Sequence, residues 1–369
     1  MTAPSSSRFW KRFRKNKAAM VSLVFIAIMV LVAVFAYPIC PDDSTDANTS
    51  IVELAAQKPG FSCLLLKKEK MKAQNISAFS YLLNGKPANI EYIPIRNYKL
   101  TKDSIHVNHM LDENITEPLS FSLAQISLNE KINEKNAVEK LIIQRTFWLG
   151  TDRSGRDVLS RLILGTRISL AVGFIAVILS IFIGVMLGAI SGYFGGWPDQ
   201  FISWLINVIW AIPTLLLVFA ITFALGKGFW QIFIAVGLTM WVGTARLIRG
   251  QVMALKEMEY IQAAQTMGFS SFRIITRHIL PNVMGPTLVM AASNFATAIL
   301  IEAGLSFLGI GVQPPVSSWG LMIKEHYNFI ITNRPMLAII PGLAIMLNVL
   351  AFNLLGNALR DALDVKGKI

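Results

Sequence analysis

Six strongly apolar stretches of this chain carry no charged side chain, and they constrain the fold more than anything else in it. Residues 18–36, 168–198, 200–226, 228–245, 282–301 and 337–359 contain no Asp, Glu, Lys or Arg. An α-helix needs about 20 apolar residues to cross a bilayer core of about 30 Å. Backbone groups cannot stay unpaired in lipid, so helices are the natural form for such runs. The runs predict six spanning helices, at 19–37, 168–192, 201–224, 229–248, 282–301 and 337–357. Composition agrees: charged residues make up 15% and hydrophobic ones 54% of the 369 residues, where a soluble domain carries about 25% charge. A typical soluble enzyme and a long disordered chain are both excluded.

The first apolar run follows Arg8, Lys11, Arg12, Arg14, Lys15 and Lys17 and resembles a signal peptide in its basic flank. It is longer than the roughly 7–15 residues of a signal's apolar region, which predicts a retained helix. Charge orients the rest. Basic residues gather before the first helix, between helices four and five (Arg246, Arg249, Lys256, Arg273, Arg277) and after helix six (Arg360, Lys366, Lys368). Excess Lys/Arg in short flanks faces the cytoplasm, and with six crossings all three segments agree. Both termini are then cytoplasmic.

Residues 40–146 stand apart. They hold 13 basic and 13 acidic residues, so the net charge of +12 belongs to the remainder. That placement makes the basic excess topological. A nucleic-acid footprint would need a basic stripe with interleaved aromatics, and none is present. The alternation in Ile90–Leu100 and Ile105–Met110 predicts strands, hence a small extracytoplasmic insert of β or mixed structure. Cys40 and Cys63 both fall on this oxidising side, where a disulfide and two free thiols remain open alternatives.

Catalytic motifs are missing. The chain has no G-x-x-x-x-G-K-[ST], no G-x-S-x-G and no H-E-x-x-H, so neither an ATP motor nor a hydrolase is encoded here. Gly309 and Gly311 lack a third glycine and a Rossmann context. His106 and His109 are too few for a metal site, which wants three or four ligands. No cofactor or metal is expected in this chain, and it reads as a non-enzyme.

The segment between helices four and five is richer. Helix formers run to Met267; Gly268 suits a left-handed cap, Ser270 or Ser271 an N-cap, and Pro281 the first turn of helix five. This predicts two short helices joined by a sharp turn at the cytoplasmic face. Ala263 and Ala264 leave room for another surface. Packing inside the chain and docking to a partner are both open.

Gln262-Ala-Ala followed by Gly268 and Leu280-Pro281 resembles the EAA loop of bacterial ABC importer permeases. Leu149-Gly-Thr-Asp-Arg-Ser-Gly-Arg-Asp-Val-Leu-Ser-Arg161, with Gly165-Thr-Arg167-Ile-Ser-Leu, is similar to the segment before helix two in dipeptide/oligopeptide permeases of the C type. Gly195-Gly-Trp-Pro-Asp199, Ala211-Ile-Pro213, Glu302-Ala-Gly-Leu-Ser-Phe-Leu-Gly-Ile-Gly-Val-Gln-Pro-Pro315, Ser318-Trp-Gly, Pro341-Gly-Leu-Ala, Ala351-Phe-Asn-Leu-Leu-Gly356 and Arg360-Asp-Ala-Leu-Asp364 fit the same family. These blocks run in order over 147–366 and leave only the insert uncovered. Two positions depart from the general motif: Gln262 stands for its Glu and His278 for its Ile.

The resemblance implies an all-α polytopic permease with six transmembrane helices. It divides the chain into a tail with first helix (1–39), the insert (40–146), and a core (147–369) with a coupling loop at 250–281. It implies an ATPase-docking loop comprising Glu257, Glu259, Tyr260, Gln262, Ala263, Ala264, Gly268, Phe269, Arg273 and Pro281. It further implies a second permease subunit, two ATPase subunits that bind ATP and Mg, an extracytoplasmic binding protein, and a peptide substrate. Nickel or antimicrobial peptides are alternative cargo within the family. An extracytoplasmic sensor or scaffold, and a channel or secondary transporter, are rivals from other classes.

Several polar residues have two readings each. Asp152, Arg156, Asp157, Arg161 and Arg167 precede helix two on its outer side; they form a structural ion network or touch substrate at an outer gate, and Asp157 and Arg161 are spaced to pair on a helix. Glu302 ends helix five at the outer boundary, as a pathway group or a loop cap. Asn348, Asn353 and Asn357 on helix six line a wet cavity or bond between helices. Pro213 bends helix three.

Overall fold

A computed structural model describes residues 6–71, 76–101, 103–112, 114–126, 134–226, 229–332 and 334–363. Lys366, Lys368 and Asp364 lie outside these. The chain opens with α1 (Ser6–Lys15), α2 (Lys17–Val34) and a single turn, α3 (Ala36–Ile39). The insert follows as β1 (Phe61–Glu69), α4 (Ala78–Asn84), β2 (Ile90–Leu100), β3 (Ser104–Met110), β4 (Thr116–Ser122), α5 (Leu123–Ile126), α6 (Glu134–Leu141) and β5 (Ile142–Phe147). Then come α7 (Val158–Phe194), α8 (Gly196–Trp210), α9 (Thr214–Leu225), α10 (Phe229–Lys256), α11 (Glu259–Thr266), α12 (Ser271–Ile274), α13 (Leu280–Phe307), α14 (Trp319–His326) and α15 (Met336–Leu363).

Among the described residues, five helices are long and apolar enough to cross a membrane: α2, α7, α10, a continuous run from Ser271 to Phe307, and α15. A sixth span is the pair α8 and α9, bent by 96° at Ala211–Pro213. The proline lacks an N–H and its ring clashes with the preceding turn, so the expected bend is a full break. Helix five differs from its expected bounds at both ends. α13 starts at Leu280 with Pro281 in its first turn, as expected, and the turns from Ser271 run into it without a break. The π-helical stretch Ile275–Ile279 precedes Pro281, and such a widened turn accommodates the missing hydrogen bond. At its far end the helix continues past Glu302 to Phe307.

The chain divides into two compact units. One comprises Met1–Val30, Ile168–Gln313 and Gly342–Ile369. Its α7–α10 contact rests on three glycines four residues apart. A Cβ on Gly184 would meet Thr244 Cβ at 2.5 Å, on Gly188 the Ala245 carbonyl at 2.5 Å, and on Gly192 the Arg249 carbonyl at 2.7 Å. Small residues at this spacing let helix backbones approach within lipid. Asn294 adds a polar tie, donating to Ser180 Oγ and Thr244 Oγ1, each at 3.2 Å. It joins α7, α10 and α13.

The second unit comprises Leu31–Arg167 and Pro314–Pro341. Its centre is a five-stranded antiparallel sheet in the order β4-β3-β2-β1-β5. The strands expected at 90–100 and 105–110 are β2 and β3. Alternation gives the sheet two apolar faces. Leu66, Ile95, Ile105 and Val107 meet Leu123, Ile126 and Leu141 on one face; Leu65 and Phe147 meet Ile51 and Leu54 on the other. Cys40 and Cys63 are free thiols, the first packed with Tyr37 and Leu164 and the second beside Leu65 and Phe147. Burial pushes the Cys40 thiol up to about 12 and the Cys63 thiol up to about 11.

Candidate functional site

The loop after α10 forms the predicted helix pair. Gly268 has φ +78°, the left-handed turn that separates α11 from α12, and Ser270 Oγ accepts the Arg273 N–H at 3.4 Å. The pair is seated by one side only. Ile261, Ala264, Ile274 and Ile279 are buried against Ala189, Tyr193, Ile248 and Val252. Phe269 stacks on His278 with centroids 6.2 Å apart, and the Arg273 guanidinium lies 4.5 Å from the Phe269 ring centre. Phe269 and Arg273 therefore stiffen the turn.

The opposite side is open. Glu257, Glu259, Gln262, Ala263 and Pro281 are exposed. Among them rises an apolar ridge: Met258, Tyr260, Met267 and Phe272 are 44%, 46%, 66% and 78% exposed. The two alanines expected to admit a partner separate here. Ala263 faces outward, whereas Ala264 is buried in the chain's own core, because α11 rotates about 100° per residue.

In the other unit, the turn 150–157 builds a buried ion network. Gly155 has φ +73°, and a Cβ there would collide with the Ile51 carbonyl. This turn aims Asp152 inward. Its Oδ1 accepts the backbone N–H groups of Ser154 and Arg156, at 2.8 and 3.0 Å. Its Oδ2 lies 2.6 Å from Arg156 Nε and 2.6 Å from Arg161 Nη1. Glu325 on α14 completes the set, with Oε2 2.7 Å from Arg161 and 3.1 Å from Arg156. Burial alone would raise both carboxyls; the two guanidiniums override it and hold Asp152 and Glu325 below the usual carboxylate range.

Arg161 thus pairs with Asp152 and Glu325, not with Asp157 as its spacing suggested. Asp157 instead accepts Ser160 N–H at 2.9 Å and Ser160 Oγ at 2.5 Å, which is an N-cap for α7. Arg167 donates to the carbonyls of Leu83 and Leu82 at 2.9 and 3.2 Å and so caps the C-terminus of α4. Glu325 and His326 escaped the sequence reading. The available signal was that Glu325 is the only acid between Glu302 and Asp361.

His326 is fully buried. Its Nδ1 lies 2.7 Å from the Met322 carbonyl; a carbonyl only accepts, so Nδ1 carries a proton, while Nε2 is buried with no hydrogen-bond partner among the described residues. Burial lowers its pKa and outweighs Asp152 and the Met322 hydrogen bond, which raise it. Asp152, Glu325 and His326 bring three ligand atoms within 4.8 Å of one another. Arg156 and Arg161 already occupy the two carboxylates, so a cation would have to displace a guanidinium.

Glu302 is buried within α13, where Ser306 Oγ donates to it at 2.7 Å. That hydroxyl in turn accepts the Val312 N–H at 3.1 Å. Glu302 therefore fastens the loop beyond the helix. Asn348 donates within its own helix, to Ala344 at 3.1 Å, rather than across helices, and Asn353 is exposed. Asn294 makes the interhelical bonds that Asn348 was expected to make.

Among the described residues, five or six apolar spans, one of them broken, define a polytopic membrane protein. Residues 184–366 match the binding-protein-dependent transport system inner membrane component family, and residues 6–59 match the N-terminal TM domain of oligopeptide transport permease C. The chain is 43% identical over 221 residues to the glutathione transport system permease protein GsiD of Pectobacterium atrosepticum, covering 60% of this chain and 73% of that protein. It is 44% identical to the dipeptide transport system permease protein DppC of Alkalihalophilus pseudofirmus, covering 60% and 72%. It is 42% identical to the oligopeptide transport system permease protein OppC of Bacillus subtilis, covering 59% and 72%. The chain belongs to this family of inner membrane components of binding-protein-dependent transport systems, and it is a multi-pass permease of the inner membrane.

Proposed function

We propose that this chain is the permease subunit of an ATP-binding cassette importer for peptides. It pairs with a second, similar permease, and substrate passes between the two. Its termini and the 250–281 loop lie in the cytoplasm, and residues 40–146 lie outside. Two ATPase subunits, which hold ATP and Mg, receive the exposed ridge of Met258, Tyr260, Met267 and Phe272; this one-sided seating of α11 and α12 is the observation that supports the reading. A binding protein delivers the peptide from the extracytoplasmic side. The related proteins named for dipeptides, oligopeptides and glutathione support the cargo class.

Gentle affinity purification of the chain from its native membrane tests this. A second permease and P-loop ATPases should come with it, and the purified assembly should import labelled peptide into vesicles on addition of ATP. Reproducible recovery of the chain alone would overturn the ATP-driven assignment.

A further inference from the structure

The basic residues that orient the chain sit on a helix whose packing and exposed face the transport reading does not use. Six of the ten residues 8–17 are basic or aromatic-flanked basic positions, namely Arg8, Lys11, Arg12, Arg14, Lys15 and Lys17, and no acidic residue precedes Asp42. α1 is not a loose tail. Phe13 is buried with Ala358 and Ala362 at the end of α15, and Phe9 packs beside them. Phe9 and Trp10 stack on Phe13, with centroids 5.9 and 5.7 Å away. Trp10 nonetheless stays 46% exposed, and Arg14, Lys15 and Lys17 are exposed. One residue after α1 ends, α2 begins, a span only 11% buried within the protein. α1 is therefore held where that span meets the membrane surface, with cations and an indole outward.

We propose that α1 lies on an anionic phospholipid surface. Arg14, Lys15 and Lys17 meet headgroup phosphates and Trp10 sits among the headgroups. Basic clusters beside a span are drawn to negatively charged lipid, and the attraction falls off within a Debye length. An amphipathic basic helix with an aromatic side takes this interfacial position. Phe9 and Phe13 pass the contact to α15, so lipid charge fixes the end of the last helix. An acidic face of another protein is the competing occupant.

The test uses the full chain in nanodiscs of phosphatidylcholine alone or with 30% phosphatidylglycerol, read by backbone hydrogen exchange. Residues 6–16 should exchange at least about threefold more slowly with the anionic lipid, and 0.5 M salt should abolish the difference. Residues 259–274 serve as the internal reference and should not change. The variant Arg14→Gln/Lys15→Gln/Lys17→Gln should lose the lipid dependence. Equal exchange of residues 6–16 in both lipids, or protection that appears only with other proteins present, would overturn the proposal. The lipid and salt comparison on the unaltered chain decides even where the variant does not insert. It requires no ATPase, so it stands or falls separately from the importer assignment.

Discussion

Arg161 Nη1 lies 2.6 Å from Asp152 Oδ2 and 2.7 Å from Glu325 Oε2, and one buried guanidinium thereby joins the turn before α7 to α14. The side chains of Arg161 and Glu325 are 1% and 5% exposed. Removing one partner of such a pair leaves a charge buried without compensation, at a cost of about 3–5 kcal/mol. Glu325→Ala should lower the amount of folded chain in the membrane and sharply raise protease sensitivity of residues 31–167. Removing both charges, as in Arg161→Met/Glu325→Leu, should restore much of the loss, because replacing a buried pair by apolar groups is often neutral. A double variant as unstable as Glu325→Ala would argue against the pairing as the cause.

His326 sets a pH dependence of known sign. Its folded pKa is depressed by burial, so above the unfolded value of about 6.5 the ring is neutral in both states. As pH falls below that value the unfolded chain takes up a proton that the folded chain refuses, and stability falls. Asp152 and Glu325, also depressed, add their loss only at lower pH, below about 4. Thermal unfolding of the unit containing residues 31–167 should weaken between pH 6.5 and 5, and His326→Gln should remove that part of the slope.

The glycine row of α7 predicts a packing failure. Gly188→Leu places a side chain against the Ala245 carbonyl, where even a Cβ comes to 2.5 Å. Overpacking costs about 1–3 kcal/mol or more, and the α7–α10 contact should open. Cysteine cross-linking between α7 and α10 should fall in yield, while Gly342→Ala, with open space around it, should change little.

The 250–281 loop exposes Ala263 and buries its neighbour Ala264, so the two separate the proposed docking from packing. Ala263→Trp should leave the chain at normal abundance and uncouple ATP hydrolysis from uptake. Ala264→Trp should instead reduce abundance, because Ala264 is 2% exposed and packed on the chain's own core. Gly268→Trp has open space but forces a non-glycine residue to φ +78°, so it should loosen the turn and impair uptake. Unimpaired uptake by Ala263→Trp would refute docking at this face.

The two thiols should be inert. With Cys40 held up at about 12 and Cys63 at about 11, almost no thiolate exists at pH 8, and the thiolate is the nucleophile. Maleimide should label the native chain slowly and the denatured chain at both positions, and reduction should leave the intact mass unchanged.

The sequence alone determined the spans, because a long uncharged run has few other uses in a bilayer and its length is read directly from the chain. It also determined the α11–α12 turn, since Gly268 and Ser270 act on their immediate neighbours. The strands at 90–100 and 105–110 were legible because alternation is local. Other features needed the tertiary structure. Arg161 found Glu325, 164 residues away, rather than the near Asp157, because a buried charge pairs with whatever the fold brings to it. Only helix rotation set Ala263 outside and Ala264 inside. Asn294, not Asn348, ties helices together because three helices converge on it. Sequence spacing ranks local partners; burial in three dimensions decides which distant groups must satisfy one another.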